Sequence, residues 1–287
     1  MRLVVTGASS FVGAHFCRRA AHRHDVVAVF HRRPVHLNRV TPVRVDLRHQ
    51  RAPARLLELE PDAIVHVAGR VMGASTRPSV LEGNRRMLDT VLAVEVPVLY
   101  ASSTVVHWER PTAYGDWRKE DEARLAASGV PWAIVRPCAP YGPPLHEHQA
   151  GHQESFQALA DMVRGWPVVP LPGSGRALRQ PVHVEDLADA MLALLERGLP
   201  NAAFDAGGAE SMTLDGVVDV IAHAARTRPV RVHLPAKLLG LVARYAPDLD
   251  EELMSTADTD DPADPAALEA ATGVRFRGFS EGVRCLL

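Results

Sequence analysis

Patterns of buried strands alternate with helical patterns through the first half of the 287-residue chain. Because a strand, a helix and a second strand form a βαβ unit, this order predicts a parallel sheet with helices on both faces. Ligands of such sheets bind at the carboxyl ends of the strands. The predicted strands are continuous, rich in valine and isoleucine, and cover 2–7, 25–30, 42–47, 62–69, 96–103 and 131–137; the helical patterns cover 11–23, 52–60, 79–94 and 113–128.

The pattern changes after Pro137. A stretch rich in proline, glycine and histidine predicts a long loop over 138–153. The acidic, proline-rich stretch 254–270 predicts an exposed connection before a last short helix. Between these segments we expect a helix over 155–165, a strand over 167–171, a helix from Glu185, the run AAFDAGG (202–208) and a helix opened by Thr213.

The composition limits the partners and the compartment. With 47% hydrophobic residues, 23% charged residues and a net charge of −2, the chain is typical of globular proteins and gives no reason to expect nucleic acid or a membrane. Cys17, Cys138 and Cys285 form no CxxC pair, so neither a disulfide framework nor a thiolate zinc site is expected. The first residues lack the pattern of a signal peptide, and we expect a cytoplasmic protein.

The stretch VVTGASSFVG places Gly7 and Gly13 between a strand and a helix. In that position the pyrophosphate of a dinucleotide meets backbone N–H groups and the positive end of the helix. The usual third glycine is Ser10 here. The alternative is a tight turn that binds nothing.

Two arginines follow the second strand. An NAD enzyme places an acidic residue there for the ribose 2′-hydroxyl, whereas this chain has Arg32 and Arg33. Because a guanidinium matches a 2′-phosphate in geometry and charge, NADP is favoured and NAD remains possible. The alternative is a solvated basic loop.

Seven segments in order along the chain together resemble the extended short-chain dehydrogenase/reductases, the NAD-dependent epimerase/dehydratase family. TGASSFVG is similar to the TGxxGFxG loop, VHVAG to the HxAA motif and VRPCAPYGPP to the RPxNxYGP segment. VDL resembles the adenine-contacting segment, and YASSTVV the serine segment of the fifth strand. Asn84 is similar to the asparagine that opens the family's next helix, and GSGRALRQPVHVEDLADAM to its stretch with a phosphate-contacting arginine.

The resemblance implies a Rossmann-type doubly wound parallel sheet with a smaller C-terminal substrate lobe. We expect 1–137 to bind the dinucleotide, with 177–204 packing on it, and 138–176 and 205–287 to form the substrate lobe. It also implies hydride transfer with a nucleotide-activated sugar, and a homodimer. By the same resemblance the cofactor-binding residues are Gly7, Ser9, Ser10, Phe11, Val12, Gly13, Arg32, Arg33, Asp46, Leu47, Val67, Ala68, Gly69, Asn84 and Pro137.

The resemblance also assigns the catalytic residues. Hydride transfer at an alcohol or ketone requires a proton carried to or from the substrate oxygen. Tyr114 is the expected acid/base, and Ser103, with Thr104 beside it, is expected to contact the same oxygen. The alternative for Ser103 is an ordinary hydroxyl at the end of a strand.

The residue four positions after Tyr114 is Arg118, where the family has a lysine, and Lys119 follows it. A helix turns about 100° per residue, so Arg118 shares the face of Tyr114 and Lys119 points elsewhere. Glu122 matches the acidic residue that often ends this family segment, which supports the same register. An arginine keeps the positive charge but cannot pass on a proton, so we expect weakened or altered catalysis. The alternative is a solvated surface arginine.

Two further residues are expected to lie at the substrate. Ala139 replaces the usual asparagine, which removes a polar contact to the nucleotide-sugar, and Arg179 is a candidate for a substrate phosphate. The alternative for Arg179 is a loop arginine paired with Glu185 or Asp186.

The loop HEHQAGHQE contains His146, His148 and His152 but is not HExxH, and no metal is expected. We interpret it as a loop over the substrate.

Three functions fit the sequence. The first is an NADPH-dependent ketoreductase acting on a keto-sugar nucleotide or a related small carbonyl compound, with an epimerase/dehydratase as its close alternative. The second is a catalytically silent dinucleotide-binding sensor or subunit, which Ser10 and Arg118 favour and Ser103, Tyr114 and Asn84 oppose. The third, a metal-dependent lyase that uses the histidine-rich loop, is remote.

Overall fold

A computed structural model describes residues 1–69, 78–144, 155–235 and 256–287. Within these ranges the predicted α/β class is confirmed. The strands are β1 (Arg2–Thr6), β2 (Asp25–Phe30), β3 (Val40–Arg44), β4 (Ala63–His66), β5 (Val98–Ala101), β6 (Trp132–Pro137), β7 (Val168–Pro172), β8 (Leu178–Arg179), β9 (Ala202–Ala206), β10 (Met212–Thr213) and β11 (Val230–Leu234). The helices are α1 (Phe11–Ala20), α2 (Ala52–Leu57), α3 (Pro78–Leu92), α4 (Ala113–Ala126), α5 (Ser155–Gly165), α6 (Val184–Glu196), α7 (Leu214–Ala225), α8 (Ala266–Thr272) and α9 (Phe279–Gly282), with 3₁₀ helices at Thr104–His107 and Val283–Leu286.

The main sheet has seven parallel strands in the order β3-β2-β1-β4-β5-β6-β9. The chain runs outward from β1 to β3 and then returns to build β4, β5 and β6 on the other side of β1. The strand order therefore reverses between β1 and β4. The carboxyl ends of these two strands flank the crevice in which sheets of this kind bind ligands.

Apolar side chains cover both faces of the sheet, which explains why its central strands are continuous apolar runs. On one face, Phe16 of α1 and Leu187 of α6 pack against strand residues such as Val5. On the other face, Leu56 of α2 and Val91 of α3 lie in a second buried cluster, which also includes Leu125 of α4.

A third apolar cluster lies outside the sheet and joins α5, α7 and α9. Its centre is Tyr141, whose ring meets the ring of Phe279 edge-on at 4.8 Å. Two small sheets accompany it: β7 pairs with β11 in parallel, and β8 pairs with β10 in antiparallel. The predicted opening of α7 at Thr213 is confirmed, because its hydroxyl accepts a hydrogen bond from Gly216 N at 3.0 Å. The sequence patterns did not predict β8, β10 or β11.

Two expectations about bounds and exposure were wrong. The third strand covers Val40–Arg44 rather than 42–47, because it is an edge strand and the buried residues Val45 and Leu47 lie beyond its end. The connection after residue 254 is not wholly exposed, since Asp261 is 8% exposed. Part of this stretch is itself helical, in Ala266–Thr272, and the short last helix expected after it is Phe279–Gly282, which a 3₁₀ turn follows.

Across the described ranges, no helix has the length and apolar character needed to cross a membrane.

Candidate functional site

The two glycines of the first loop are required by close approaches within the protein. Gly7 has φ +70°, and a Cβ at this position would lie 2.5 Å from the backbone N of Ala68, after β4. A Cβ at Gly13 would overlap the carbonyl oxygen of Gly7. Both positions therefore exclude a side chain, and the loop passes tightly between the ends of β1 and β4.

Ser10, in the place of the third glycine, is the N-cap of α1. Its hydroxyl accepts a hydrogen bond from Gly13 N at 3.1 Å, and Ser9 beside it is partly exposed. The next two residues, Phe11 and Val12, begin the helix, so their N–H groups have no acceptor one turn earlier in it. The serine thus caps the helix without closing its N-terminal end to an anion.

The loop after β2 carries exposed cations. Arg32 and Arg33 are both exposed. Nearby, the Asp46 carboxylate accepts two hydrogen bonds from the Arg48 side chain, at 2.8 and 2.9 Å, and these lower the pKa of Asp46 to about 2. Leu47 is buried beside it. The two arginines therefore present positive charge to solvent at this end of the sheet.

The chain leaves β4 through Val67, Ala68 and Gly69. Gly69 is the last residue described before 78, and a Cβ on it would lie 2.7 Å from the ring of Trp117. Asn84 lies within α3 and is 2% exposed. Of these residues, Gly69 is thus packed directly against α4.

Three consecutive hydroxyls end β5, and each has a different partner. Ser102 donates to Glu122 Oε1 at 2.6 Å, and Thr104 donates to Asp261 Oδ2 at 3.0 Å. Ser103 caps the 3₁₀ helix through a long contact from Val105 N at 3.5 Å. Of the three, Ser103 alone is not fully buried, so its hydroxyl is the one open to a ligand.

Tyr114 lies in the first turn of α4, which packs on that 3₁₀ helix: a Cβ at Gly115 would lie 3.2 Å from Val105 O. The predicted register is confirmed, because Arg118 Nε donates to the Tyr114 hydroxyl at 3.3 Å and Lys119 is exposed on another side. Arg118 is 5% exposed, so the alternative of a solvated surface arginine is wrong.

Arg118 is held on several sides. Its NH1 donates to the Tyr100 hydroxyl at 2.7 Å and to Ala101 O at 3.1 Å. Its guanidinium carbon lies 4.2 Å from the ring centre of Trp117, a cation–π contact. Burial works against the charged form, but Tyr100 and Tyr114 raise the pKa of Arg118 overall. The guanidinium therefore stays charged and is fixed in direction.

Asp121 completes this group. Its Oδ2 accepts hydrogen bonds from Trp117 Nε1 at 2.6 Å and from the Tyr100 hydroxyl at 3.1 Å. Burial raises the pKa of Asp121 to about 6, and Arg118 opposes the shift. Sequence reasoning missed these residues, although Trp117 and Asp121 follow Tyr114 by three and seven positions, the spacing of one helix face.

A second ionic group ties α4 to the strand ends. Arg136 of β6 donates to both carboxylate oxygens of Glu122, the closest contact being 2.6 Å, and it also reaches Asp205 of β9 at 3.4 Å. Since Ser102 bonds the same Glu122, the ends of β5, β6 and β9 are fixed relative to the helix that carries Tyr114.

The segment after β6 is shaped by its backbone. Pro137 ends the strand, and Ala139 has φ +41°, a left-handed conformation that is unusual for alanine. Arg179 is held by carbonyl oxygens of Leu178, Thr259 and Ala257, at 2.6 to 3.0 Å. The predicted carboxylate partners bind other arginines: Glu185 pairs with Arg18 and Asp186 with Arg277.

His66 at the end of β4 is buried and neutral. Its Nδ1 lies 2.7 Å from the hydroxyl of Thr6, and its ring stacks on Tyr100. Burial, aided by the charge of Arg118, lowers the pKa of His66 to about 3. This histidine is part of the core beneath the crevice.

In the parts of the chain that the structure describes, no group of three or more His, Cys, Asp and Glu side chains could hold a metal ion. The three histidines of the predicted substrate loop, His146, His148 and His152, lie outside the described residues.

The chain is similar to known proteins in sequence and in fold. A model of the NAD-dependent epimerase/dehydratase family matches residues 3–122 and 114–207. A dTDP-4-dehydro-6-deoxy-D-allose reductase from Streptomyces sp is 27% identical, with 91% of each chain covered. A protein of the same description from Streptomyces bikiniensis is also 27% identical, covering 84% of this chain and 86% of the relative.

Among solved structures, UDP-glucose 4-epimerase from Thermus thermophilus, in complex with NAD, superimposes with a TM-score of 0.77. The two sequences are 22% identical, and the match covers 100% of this chain and 97% of that one. At this identity the likeness shows a shared fold.

Proposed function

Because the chain belongs to the NAD-dependent epimerase/dehydratase family, we propose that it reduces a keto-sugar nucleotide or a related small carbonyl compound with NADPH. It is an NAD(P)-dependent enzyme of the short-chain dehydrogenase type, and both a reductase and an epimerase fit its relatives. The observation that carries the proposal is the 3.3 Å hydrogen bond from Arg118 Nε to the Tyr114 hydroxyl, beside the end of β5.

The crevice between β1 and β4 suits a dinucleotide. A Cβ at Gly7 or Gly13 would fill space that the backbone already needs, and the N-terminus of α1 is suited to a pyrophosphate. Arg32 and Arg33 would hold the 2′-phosphate that distinguishes NADP from NAD. The remaining residues proposed to line the cofactor are Ser9, Ser10, Phe11, Val12, Asp46, Leu47, Val67, Ala68, Gly69, Asn84 and Pro137.

When bound, the nicotinamide supplies the hydride that becomes attached to the carbonyl carbon. Tyr114 donates its hydroxyl proton to the carbonyl oxygen, which becomes the new hydroxyl. Ser103 donates a hydrogen bond to the same oxygen and holds it in place. Arg118 fixes the tyrosine oxygen but keeps its own protons, so water must return a proton to Tyr114.

The proposed substrate is a nucleotide-activated sugar, the class named for the Streptomyces relatives. Thr104, Ala139 and Arg179 are proposed to lie along it. Since the Thr104 hydroxyl donates to Asp261 and Arg179 holds carbonyls, both would act mainly by shaping the pocket.

We also propose which segments of the chain bind the cofactor and which bind the substrate. Segments 1–137 and 177–204 would bind the dinucleotide, while 138–176 and 205–287 would bind the sugar nucleotide. The assembly proposed is a homodimer, which gel filtration with light scattering would test.

Two other functions compete with this one. An epimerase or dehydratase would return the hydride to the sugar within one catalytic cycle. A silent dinucleotide-binding sensor is favoured by one observation: Arg118 replaces a lysine and cannot relay a proton.

Two measurements decide among these functions. Fluorescence titration with NADPH and NADH tests binding, and failure of both to bind would exclude the reductase and the sensor together. NADPH oxidation is then measured with a set of dTDP- and UDP-linked keto-sugars, and the products are identified.

Variants assign the acid/base. Tyr114→Phe should reduce turnover at least 100-fold, the scale of a lost acid/base. Lys119→Ala, on the exposed side of the same helix, is the matched control and should stay active. If the wild-type protein binds the cofactor but turns over none of these substrates, the sensor is favoured.

A further inference from the structure

Arg118 and Asp121 are buried groups of opposite charge joined through one hydroxyl. Tyr100 accepts a hydrogen bond from Arg118 NH1 at 2.7 Å and donates one to Asp121 Oδ2 at 3.1 Å. Asp121 is fully buried, and Arg118 is 5% exposed. The tyrosine hydroxyl is therefore oriented at both ends, with the cation on one side and the carboxylate on the other.

The indole of Trp117 makes a second connection between the same two residues. Its ring lies against the guanidinium at 4.2 Å, and its Nε1 donates to Asp121 Oδ2 at 2.6 Å. One carboxylate oxygen thus fixes both the hydroxyl that NH1 bonds and the ring that supports the guanidinium face. Movement of Asp121 would loosen Arg118 in two directions.

A guanidinium needs this support more than an ammonium does. It carries five N–H donors in a rigid plane, so its direction is set only when several of them are bonded. In Arg118, Nε bonds Tyr114, NH1 bonds Tyr100 and Ala101 O, and NH2 lies beside Gly69. A buried cation without a nearby counter-charge is also strongly destabilising.

We propose that Asp121 is a positioning residue that acts through Tyr100 and Trp117 to aim Arg118 Nε at the hydroxyl of Tyr114. The inference rests on the proposed function, because its catalytic consequence appears only if Tyr114 is the acid/base. In this proposal Asp121 is the counter-charge of Arg118.

Besides Arg118, charged or titratable groups approach Asp121 from its own helix, from β5 and from α3. Arg124 NH1 on its own helix lies 3.4 Å from Oδ1, and Tyr100 approaches from β5. From α3, Arg85 faces the same carboxylate, and Asp89 pairs with Arg124. Protonation of Asp121 would thus remove the negative charge that Tyr100 and Trp117 connect to Arg118, and turnover should fall on the acid side.

The first experiment measures the link between Asp121 and Trp117 and does not depend on turnover. In uniformly ¹⁵N-labelled protein, the indole N–H of Trp117, assigned with Trp117→Phe, should shift with a midpoint near pH 6. The transition should disappear in Asp121→Asn and move to higher pH in Arg118→Met, because the charge of Arg118 favours the carboxylate. An unchanged midpoint in Arg118→Met would overturn the proposal.

The second experiment is kinetic. Asp121→Asn and Tyr100→Phe should each lower kcat about tenfold, the scale of one lost hydrogen bond to a charged group, with smaller changes in KM. The double variant should be no worse than the poorer single one, since both residues act on the same guanidinium. Asp121→Asn should also lose the acid limb of the pH–kcat profile.

Glu120→Gln is the matched control, because Glu120 precedes Asp121 and pairs with Arg85 at the surface. If Asp121→Asn lowers kcat no more than this control, or if the effects of the two single variants multiply, the proposal is wrong. Absence of turnover in wild type on every keto-sugar would instead count against the proposed function, and the NMR titration would still decide the positioning role.

Discussion

The ring of Trp117 lies in the space that a side chain at position 69 would fill. A Cβ on Gly69 would lie 2.7 Å from the Trp117 ring and 3.5 Å from Arg118 NH2. Contacts below 3.0 Å require one of the partners to move, and here the partner is a rigid indole that is 2% exposed. The glycine after β4 therefore makes room for the aromatic support of Arg118.

Gly69→Ala should consequently disturb the site as well as the packing. We expect a loss of about 1–3 kcal/mol in the free energy of unfolding from overpacking, together with a fall in kcat. Urea unfolding and steady-state kinetics measure the two effects. Gly165→Ala, where an added Cβ meets nothing within 4 Å, is the control: it should leave kcat unchanged and should not lower the stability. A fully active Gly69→Ala would show that Trp117 can move without consequence.

The titration of Asp121 should make the stability of the protein fall as pH rises through 6. Its pKa is raised from about 3.8 unfolded to about 6 folded, so its contribution is present below pH 4 and is lost as pH rises through 6. From pH 4.5 to 7.5, the unfolding free energy of wild type minus that of Asp121→Asn should decrease by about 2 kcal/mol. Urea unfolding at the two pH values tests this, and a constant difference would contradict it.

His66 should have the opposite effect. Its pKa is lowered from 6.5 to about 3, so the contribution of the neutral ring is present above pH 6.5 and is lost as pH falls toward 3. By pH 4.5 wild type should lose about 2–3 kcal/mol that His66→Gln does not lose. The exposed His36→Gln should behave as wild type. Acid-unfolding curves followed by circular dichroism would separate the three proteins.

The two arginines after β2 should discriminate between the dinucleotides. Replacing Arg32 and Arg33 by alanine should weaken NADPH binding by about tenfold or more, the scale of a lost charged hydrogen bond, while NADH binding changes little. Arg55→Ala removes an exposed cation elsewhere and serves as the control. Equal weakening for both cofactors would assign the arginines a general electrostatic role.

Ala139→Gly should stabilise the protein. The backbone at Ala139 has φ +41°, which costs an alanine about 1–2 kcal/mol, whereas glycine adopts it freely. After the greater freedom of glycine in the unfolded chain is subtracted, we expect a gain of up to about 1 kcal/mol. Ala21→Gly, at φ −64°, should lose stability instead. A melting temperature lowered in both variants would refute the strain at Ala139.

The sequence predicted the parts of the molecule that depend on local patterns. Apolar runs predicted the central strands, and helical spacing correctly placed Arg118 rather than Lys119 beside Tyr114. The buried polar groups were not predicted. Asp261 is an example, because an acidic, proline-rich stretch predicts solvent exposure. Its partners Thr104, Trp108 and Cys138 lie more than 120 residues away in the chain, and only the fold brings them together.

Strand β9, which completes the main sheet, is made late during synthesis of the chain. On one face of the sheet, β1, β2 and β4 are covered jointly by α1 and α6, and β9 pairs with β6 only after residue 202 has been made. A nascent chain ending near residue 137 would therefore expose apolar strand surface and an unpaired edge, both of which promote aggregation. We therefore expect the first 137 residues not to fold independently, because α6 and β9 are needed to cover and complete the sheet.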